Sequence, residues 1–176
     1  MPAANLRPLA FDDIQLLRYW RNLDHVRRRM VFQEIIGRDQ QRKWFNELNN
    51  DRVNYFIYSL DDNDIGSVHL TTLDSHEKTF EAGIFCGDPD FLRHWINMWA
   101  CIRLYNYAFL ELGFETAYAT IRKDNTSAHS LNRSLGYVSL SEETEGATRL
   151  TLTKDNYVQE SQKLQRYLRE FAKQDI

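Results

Sequence analysis

A chain of 176 residues, 43% hydrophobic and 13% aromatic, is long enough to bury a core and too apolar to stay disordered. Its formal charge of −3, with Lys and Arg dispersed, speaks against a nucleic-acid-binding surface. The opening Met1-Pro2-Ala3-Ala4-Asn5 lacks the basic-then-apolar order of a secretory leader, and no apolar run reaches membrane-spanning length, so the expectation is a cytoplasmic chain without a membrane partner. Arg27-Arg28-Arg29 reads as a solvated helix face. Cys86 and Cys101 fit a reducing compartment better than a disulfide framework, and the histidines and cysteines show no metal-ligand spacing.

In chain order, Leu6 to Pro8 reads as a first strand. Asp12 or Asp13 then caps a helix carrying Ile14, Leu17 and Trp20, which runs down at Arg21-Asn22; a second short helix holds Val26 and Met30. Asp39 to Leu48 is a helix with Trp44, Phe45 and Leu48 on one side. The period then changes. Val53 to Leu60 and Asp64 to Leu73 read as strands joined by Asp61-Asp62-Asn63, and Thr79 to Cys86 as a third, ended by Gly87-Asp88-Pro89. A long helix from Trp95 to Leu112 stops at Gly113, followed by a strand from Glu115 to Arg122 and a helix from Thr126 to Leu135 stopped by Gly136. Val138 to Leu140 and Thr148 to Thr153 are the last strands, around an acidic turn at Glu142 to Glu145, before a terminal helix with Tyr157, Leu164, Leu168 and Phe171. Strands and helices alternate without a dinucleotide-binding glycine fingerprint, so the class is α/β or α+β with a mixed sheet.

The stretch from Ile121 to Tyr137, with Asn125 at the strand end, Ser127-Ala128 opening the helix and Leu135-Gly136-Tyr137 closing it, resembles the GNAT N-acetyltransferase superfamily. Tyr107-Ala108-Phe109 before Leu112-Gly113, and Gly83 to Asp88, fit the same pattern. Trp20-Arg21-Asn22, Val26, Met30, Gln33-Glu34-Ile35, Trp44-Phe45 and Ile65-Gly66 are similar to a branch of amino-sugar N-acetyltransferases of the pseudaminic-acid type, with Rim-type protein acetyltransferases close by. The resemblance implies one GNAT domain over residues 1–176, a mixed central sheet of about seven strands flanked by helices. It also implies that the strand at Thr79 runs parallel to that at Glu115, splayed at the C-terminal ends. Acetyl-CoA is the implied co-substrate and a small-molecule amine the implied partner; a homodimer stays open.

In that superfamily a Gln/Arg-x-x-Gly-x-Gly/Ala loop at the start of the long helix holds the cofactor pyrophosphate, because helix N–H groups face the anion and glycine admits it closely. Ungapped counting places the loop on Leu92-Arg93-His94-Trp95-Ile96-Asn97, where Leu92, Trp95 and Asn97 depart from the pattern and Arg93 and His94 add basic groups. The resemblance places carbonyl polarisation by a backbone N–H near Phe85 and Cys86. It makes Glu81, eight residues before Pro89, the first candidate base, with His69 second. Asn132, a poor acid, stands where many members carry a tyrosine acid, so that role is unassigned; Tyr137 lies nearby, as a candidate acid or as the usual core aromatic. Asn125 and Ser127 fall on the cofactor side, Asn125 also as a cap together with Asp124. Arg21, Asn22, Met30 and Gln33 fall on the acceptor side, Arg21 either gripping a nucleotide diphosphate or pairing with an aspartate such as Asp24. Three functions follow: an N-acetyltransferase for a nucleotide-linked amino sugar, a Rim-like enzyme for protein N-termini, and a ligand-binding module on the same fold that has lost CoA.

Overall fold

The computed structural model describes residues 3–48, 51–144 and 146–171. Seven strands form one sheet: β1 (Ala4–Pro8), β2 (Val53–Leu60), β3 (Asn63–Asp74), β4 (Thr79–Cys86), β5 (Thr116–Arg122), β6 (Val138–Thr144) and β7 (Ala147–Thr153), in the order β1-β2-β3-β4-β5-β7-β6. All neighbours are antiparallel except β4 and β5, which are parallel as expected. The β2–β3 turn holds Asp61 and Asp62 at φ 49° and 65°. Short polar side chains tolerate that left-handed region better than most, and the two-residue turn it makes matches the twist of a hairpin.

Six helices cover the sheet: α1 (Ile14–Asn22), α2 (Asp24–Arg27), α3 (Arg38–Asn46), α4 (Trp95–Asn106), α5 (Thr126–Leu135) and α6 (Lys154–Phe171). Alternation along the strands sorts the core into two parts. Tyr58, Val68, Leu70 and Phe80 face α4 and α6, where Tyr105, Phe109, Phe114 and Tyr157 complete an aromatic cluster around Phe80. Ile57 and Phe85 face the other way and meet Leu17, Trp20 and Val26 from α1 and α2.

Several boundaries differ from the sequence reading. Asp13 gives α1 no side-chain cap; its carboxylate instead accepts the Ala10 N–H at 2.8 Å and takes both guanidinium nitrogens of Arg7 at 2.7 and 2.9 Å. Helix α2 ends at Arg27, so Met30 lies in the turn beyond it, and α3 ends at Asn46 rather than Leu48. The long helix changes pitch: after Asn106 a π-helical turn spans Tyr107–Glu111, closed by the Leu112 N–H on the Tyr107 carbonyl at 2.9 Å. Strand β6 continues to Thr144, through most of the stretch read as an acidic turn, and Glu145 lies outside the described residues. Gly113 at φ 73° and Gly136 at φ 98° stop their helices as expected.

Phe80 is fully buried beside the point where β4 meets β5. Truncating it to Ala should cost about 3–5 kcal/mol through lost transfer energy and an aromatic-lined cavity. Urea unfolding is expected to show a lower midpoint at unchanged slope; an unmoved midpoint would mean that the ring cluster does not carry the core.

Candidate active site

The parallel pairing of β4 and β5 is short. It covers Thr79↔Thr116, Phe80↔Ala117 and Glu81↔Tyr118, and then stops. Both strands continue, β4 held by β3 from Thr79 to Cys86 and β5 by β7 from Thr116 to Arg122. The result is a V whose vertex lies at Glu81. The β3–β4 register fixes which backbone groups enter it. Gly87 donates to the Ile65 carbonyl at 2.8 Å, so antiparallel alternation turns Phe85 and Gly83 toward β3 and sends Ile84 and Cys86 into the V. Of the two positions expected to polarise a carbonyl, Cys86 therefore presents its N–H to the cleft and Phe85 does not; Ile84, not singled out from sequence, does.

The V opens into a chamber of about 910 Å³ that reaches α1, α2 and the start of α4. Glu81, His69, Phe85, Cys86, Arg21, Met30, Asn125 and Ser127 all line it, as do Leu92, Arg93, His94, Trp95 and Asn97. Four candidates do not. Ile96 points its side chain into the core with no exposure, although its amide remains at the helix start. Tyr137 is buried, its hydroxyl 2.8 Å from that of Tyr105, and burial raises its pKa further above the ordinary tyrosine value. Asn22 clips the chain at Ile36, accepting its N–H at 2.8 Å and donating to its carbonyl at 2.9 Å. Gln33 donates to the Arg28 carbonyl at 2.9 Å while its own carbonyl accepts from Arg27. The last two shape the wall without forming it.

At the start of α4 the missing glycines are replaced by a different scaffold. His94 is the N-cap, its Nδ1 accepting the Ile96 N–H at 3.2 Å, with its ring against Phe91 and Trp95. Asn97 turns back on the loop, donating to the carbonyls of Phe91 at 2.6 Å and His94 at 3.2 Å. Its Oδ1 accepts the Tyr58 hydroxyl at 2.6 Å. Tyr58 can cross the sheet because Gly66 lies beneath it: a Cβ there would come within 2.5 Å of the hydroxyl oxygen. Asn97 is thus an anchor of the loop.

Opposite this mouth, Asn125 caps α5, accepting the Ala128 N–H at 3.2 Å, and donates to the Arg29 carbonyl at 3.3 Å. Asp124 does not share the capping; it pairs with Arg122. Ser127 donates to Asn125 Oδ1 and accepts Arg29 Nη1 at 3.0 Å, so the segment after α2 is latched across the cleft to α5. Asn132, at the wall, donates to the Ala128 carbonyl at 2.9 Å.

The acetyltransferase (GNAT) domain family matches residues 4–138. The chain belongs to the GNAT family. Solved structures with this GNAT fold include a domain from Methanocaldococcus jannaschii (20% identity, TM-score 0.78, covering 87% of this chain and 99% of that one). FdhC, described as a nucleotide-linked sugar GNAT, matches at 24% identity and TM-score 0.75 over 94% of both chains. Spermidine N-acetyltransferase from Vibrio cholerae, in complex with CoA and spermine, matches at 18% identity and TM-score 0.76, covering 88% and 98%. No curated protein matches the sequence. Among the described residues no helix is long and apolar enough to cross a membrane, and no cluster of His, Cys, Asp or Glu could hold a metal ion.

Within this GNAT cleft the electrostatics are set by burial. The Cys86 thiol is pushed up to about 11, mainly by burial, so it stays protonated at neutral pH. His69 stacks on Tyr55 at 4.5 Å between ring centroids and leans over Gly83, where a Cβ would meet its Cε1 at 2.5 Å. Burial, then the nearby Arg21 charge, lowers the His69 pKa from 6.5 to about 4. A ring held neutral in the folded state protonates first in the unfolded chain, so its contribution to stability is complete above pH 6.5 and is lost as pH falls toward 4. The full loss is roughly 3 kcal/mol. Chemical denaturation of wild type and His69→Gln at several pH values should show the difference between them shrinking across that window on acidification; a difference independent of pH would contradict a neutral, buried imidazole.

Proposed function

We propose that this chain transfers an acetyl group from acetyl-CoA to a primary amine, the acceptor being a nucleotide-linked amino sugar. The V between β4 and β5 carries the reading, because it sets a carboxylate at its vertex and unpaired strand amides along one arm. Glu81 takes the proton of the incoming amine, directly or through water. The Ile84 and Cys86 N–H groups donate to the carbonyl oxygen as negative charge builds on it, where preorganised donors contribute most. The C–N bond forms, the C–S bond then breaks, and CoA leaves as its thiolate, which takes its proton from water. Acetyl-CoA supplies the activated acyl carbon, its phosphates facing Arg93 and the start of α4, its pantetheine arm the β5 side and Asn125 and Ser127. The sugar-nucleotide GNAT among its structural relatives supports the choice of acceptor.

One observation favours a second reading, a GNAT-fold module that binds a ligand without CoA: the His94 imidazole already occupies the Ile96 N–H that a phosphate would use. The first reading requires that ring to rotate away, which costs one neutral hydrogen bond of about 0.5–1.5 kcal/mol, less than a charge-assisted bond to phosphate returns.

The test is thiol release from acetyl-CoA with amine acceptors, in wild type and Glu81→Gln. The variant should lose about a hundredfold or more in kcat while acetyl-CoA affinity by calorimetry stays near wild type. Turnover unchanged at saturating acceptor across pH would remove Glu81 from the mechanism, and acetyl-CoA that is never consumed would favour the second reading.

A further inference from the structure

Arg21 leaves the last turn of α1 and enters the chamber, where no acidic partner meets it among the described residues. Its Cζ lies 5.9 Å from the centroid of the Phe85 ring, and its other close neighbours are Tyr55 and His69. Nη1 is buried and has no hydrogen-bond partner. Asp24, the aspartate nearest in sequence, is committed to Arg27 at 2.8 Å and Arg28 at 3.1 Å. Beside it, His69 Nδ1 is also buried and unpartnered. Two orphaned polar atoms thus share one wall of a single chamber.

The guanidinium is half-buried and rests on the Phe85 ring, but a buried donor left without an acceptor still opposes folding. Among the described residues none supplies that acceptor, and a ligand oxygen entering the chamber can. A planar five-donor cation with an imidazole N–H beside it selects carboxylate or phosphoryl oxygens. We propose that Arg21 and His69 form an anion-reading subsite in the acceptor chamber, so that the amine acylated here also carries a carboxylate or a phosphoryl group. The subsite rests on the acyl-transfer reading for the amine, but not for the anion. His69 overlies Gly83, and Glu81 stands two residues away on the same face of β4, roughly 7 Å along the strand. Amine and anion must therefore lie close together on the acceptor. A polyamine offers only cations and leaves Arg21 unmatched.

The whole chain is titrated by calorimetry with uridine diphosphate, inorganic phosphate, glutamate and spermidine, then again as Arg21→Met and Arg21→Lys. At least one anion should bind wild type and spermidine should not. Arg21→Met should weaken that anion by about thirtyfold or more and Arg21→Lys by less, because lysine keeps the charge without the fork. Phosphate-bearing probes binding in preference to glutamate would name a phosphoryl group, the reverse a carboxylate. The Tm of Arg21→Met, measured alongside, should stay near the wild-type value, so that lost affinity reports the subsite and not unfolding. No anion binding to folded wild type, or anion affinity unchanged in Arg21→Met, would each overturn the subsite. Arg21-dependent anion binding without thiol release from acetyl-CoA would uphold it and defeat the acyl-transfer reading. Thiol release with spermidine that ignores Arg21→Met would do the opposite.

Discussion

The organising constraint is a conflict between two complete ladders and one short one. Strand β4 is held by β3 along its whole length and β5 by β7 along its whole length, while β4 and β5 share only three register positions. Sheet twist then carries the two strands apart beyond Glu81. Buried backbone amides normally find partners, and an opened sheet forfeits them. The V is therefore a standing set of donors that a polar ligand can satisfy, built into the sheet instead of appended to it. Every functional feature is placed relative to it: the carboxylate at the vertex, the alternate amides along β4, the helix start at one mouth and the α1 wall at the other.

The start of α4 is held by side chains where the family pattern has glycines. Glycine admits an anion by leaving space. Here the loop is instead shaped by a side-chain network that runs from Gly66 through Tyr58 to Asn97, and from Asn97 to the carbonyls of Phe91 and His94. Burial holds the Tyr58 hydroxyl protonated, with a pKa well above the ordinary value, so it remains a donor to Asn97. The Ile96 N–H at the helix start is taken by the His94 imidazole, a neutral acceptor that a charged one can displace.

Much of the fold could be read from local chemistry. The Asp61-Asp62 turn, the stops at Gly113 and Gly136 and the alternation of β2 through β4 depend on neighbours in sequence, and they stand where expected. The π-helical turn after Asn106 and the length of β6 depend on tertiary packing and strand pairing, which no local pattern reports. The site divides in the same way. Glu81, His69, Arg21 and Met30 were legible through the resemblance to the GNAT superfamily, which points to these strands and this segment, and all four line the chamber. The choice of Ile84 over Phe85 was not, since it turns on register with β3, and the role of Asn97 was not, since its partner Tyr58 lies 39 residues away. Asn22 and Gln33 face backbone groups of their own loop, a local geometry that residue type alone does not disclose.

The proposed acyl transfer requires the V and the start of α4 to form one site for a CoA-type ligand. Calorimetric titration of the folded chain with desulfo-CoA tests this most directly. One-to-one binding whose affinity falls as salt rises, as phosphate contacts at Arg93 and a helix start require, is the predicted result. No heat of binding at low salt, from protein shown to be folded, would contradict it.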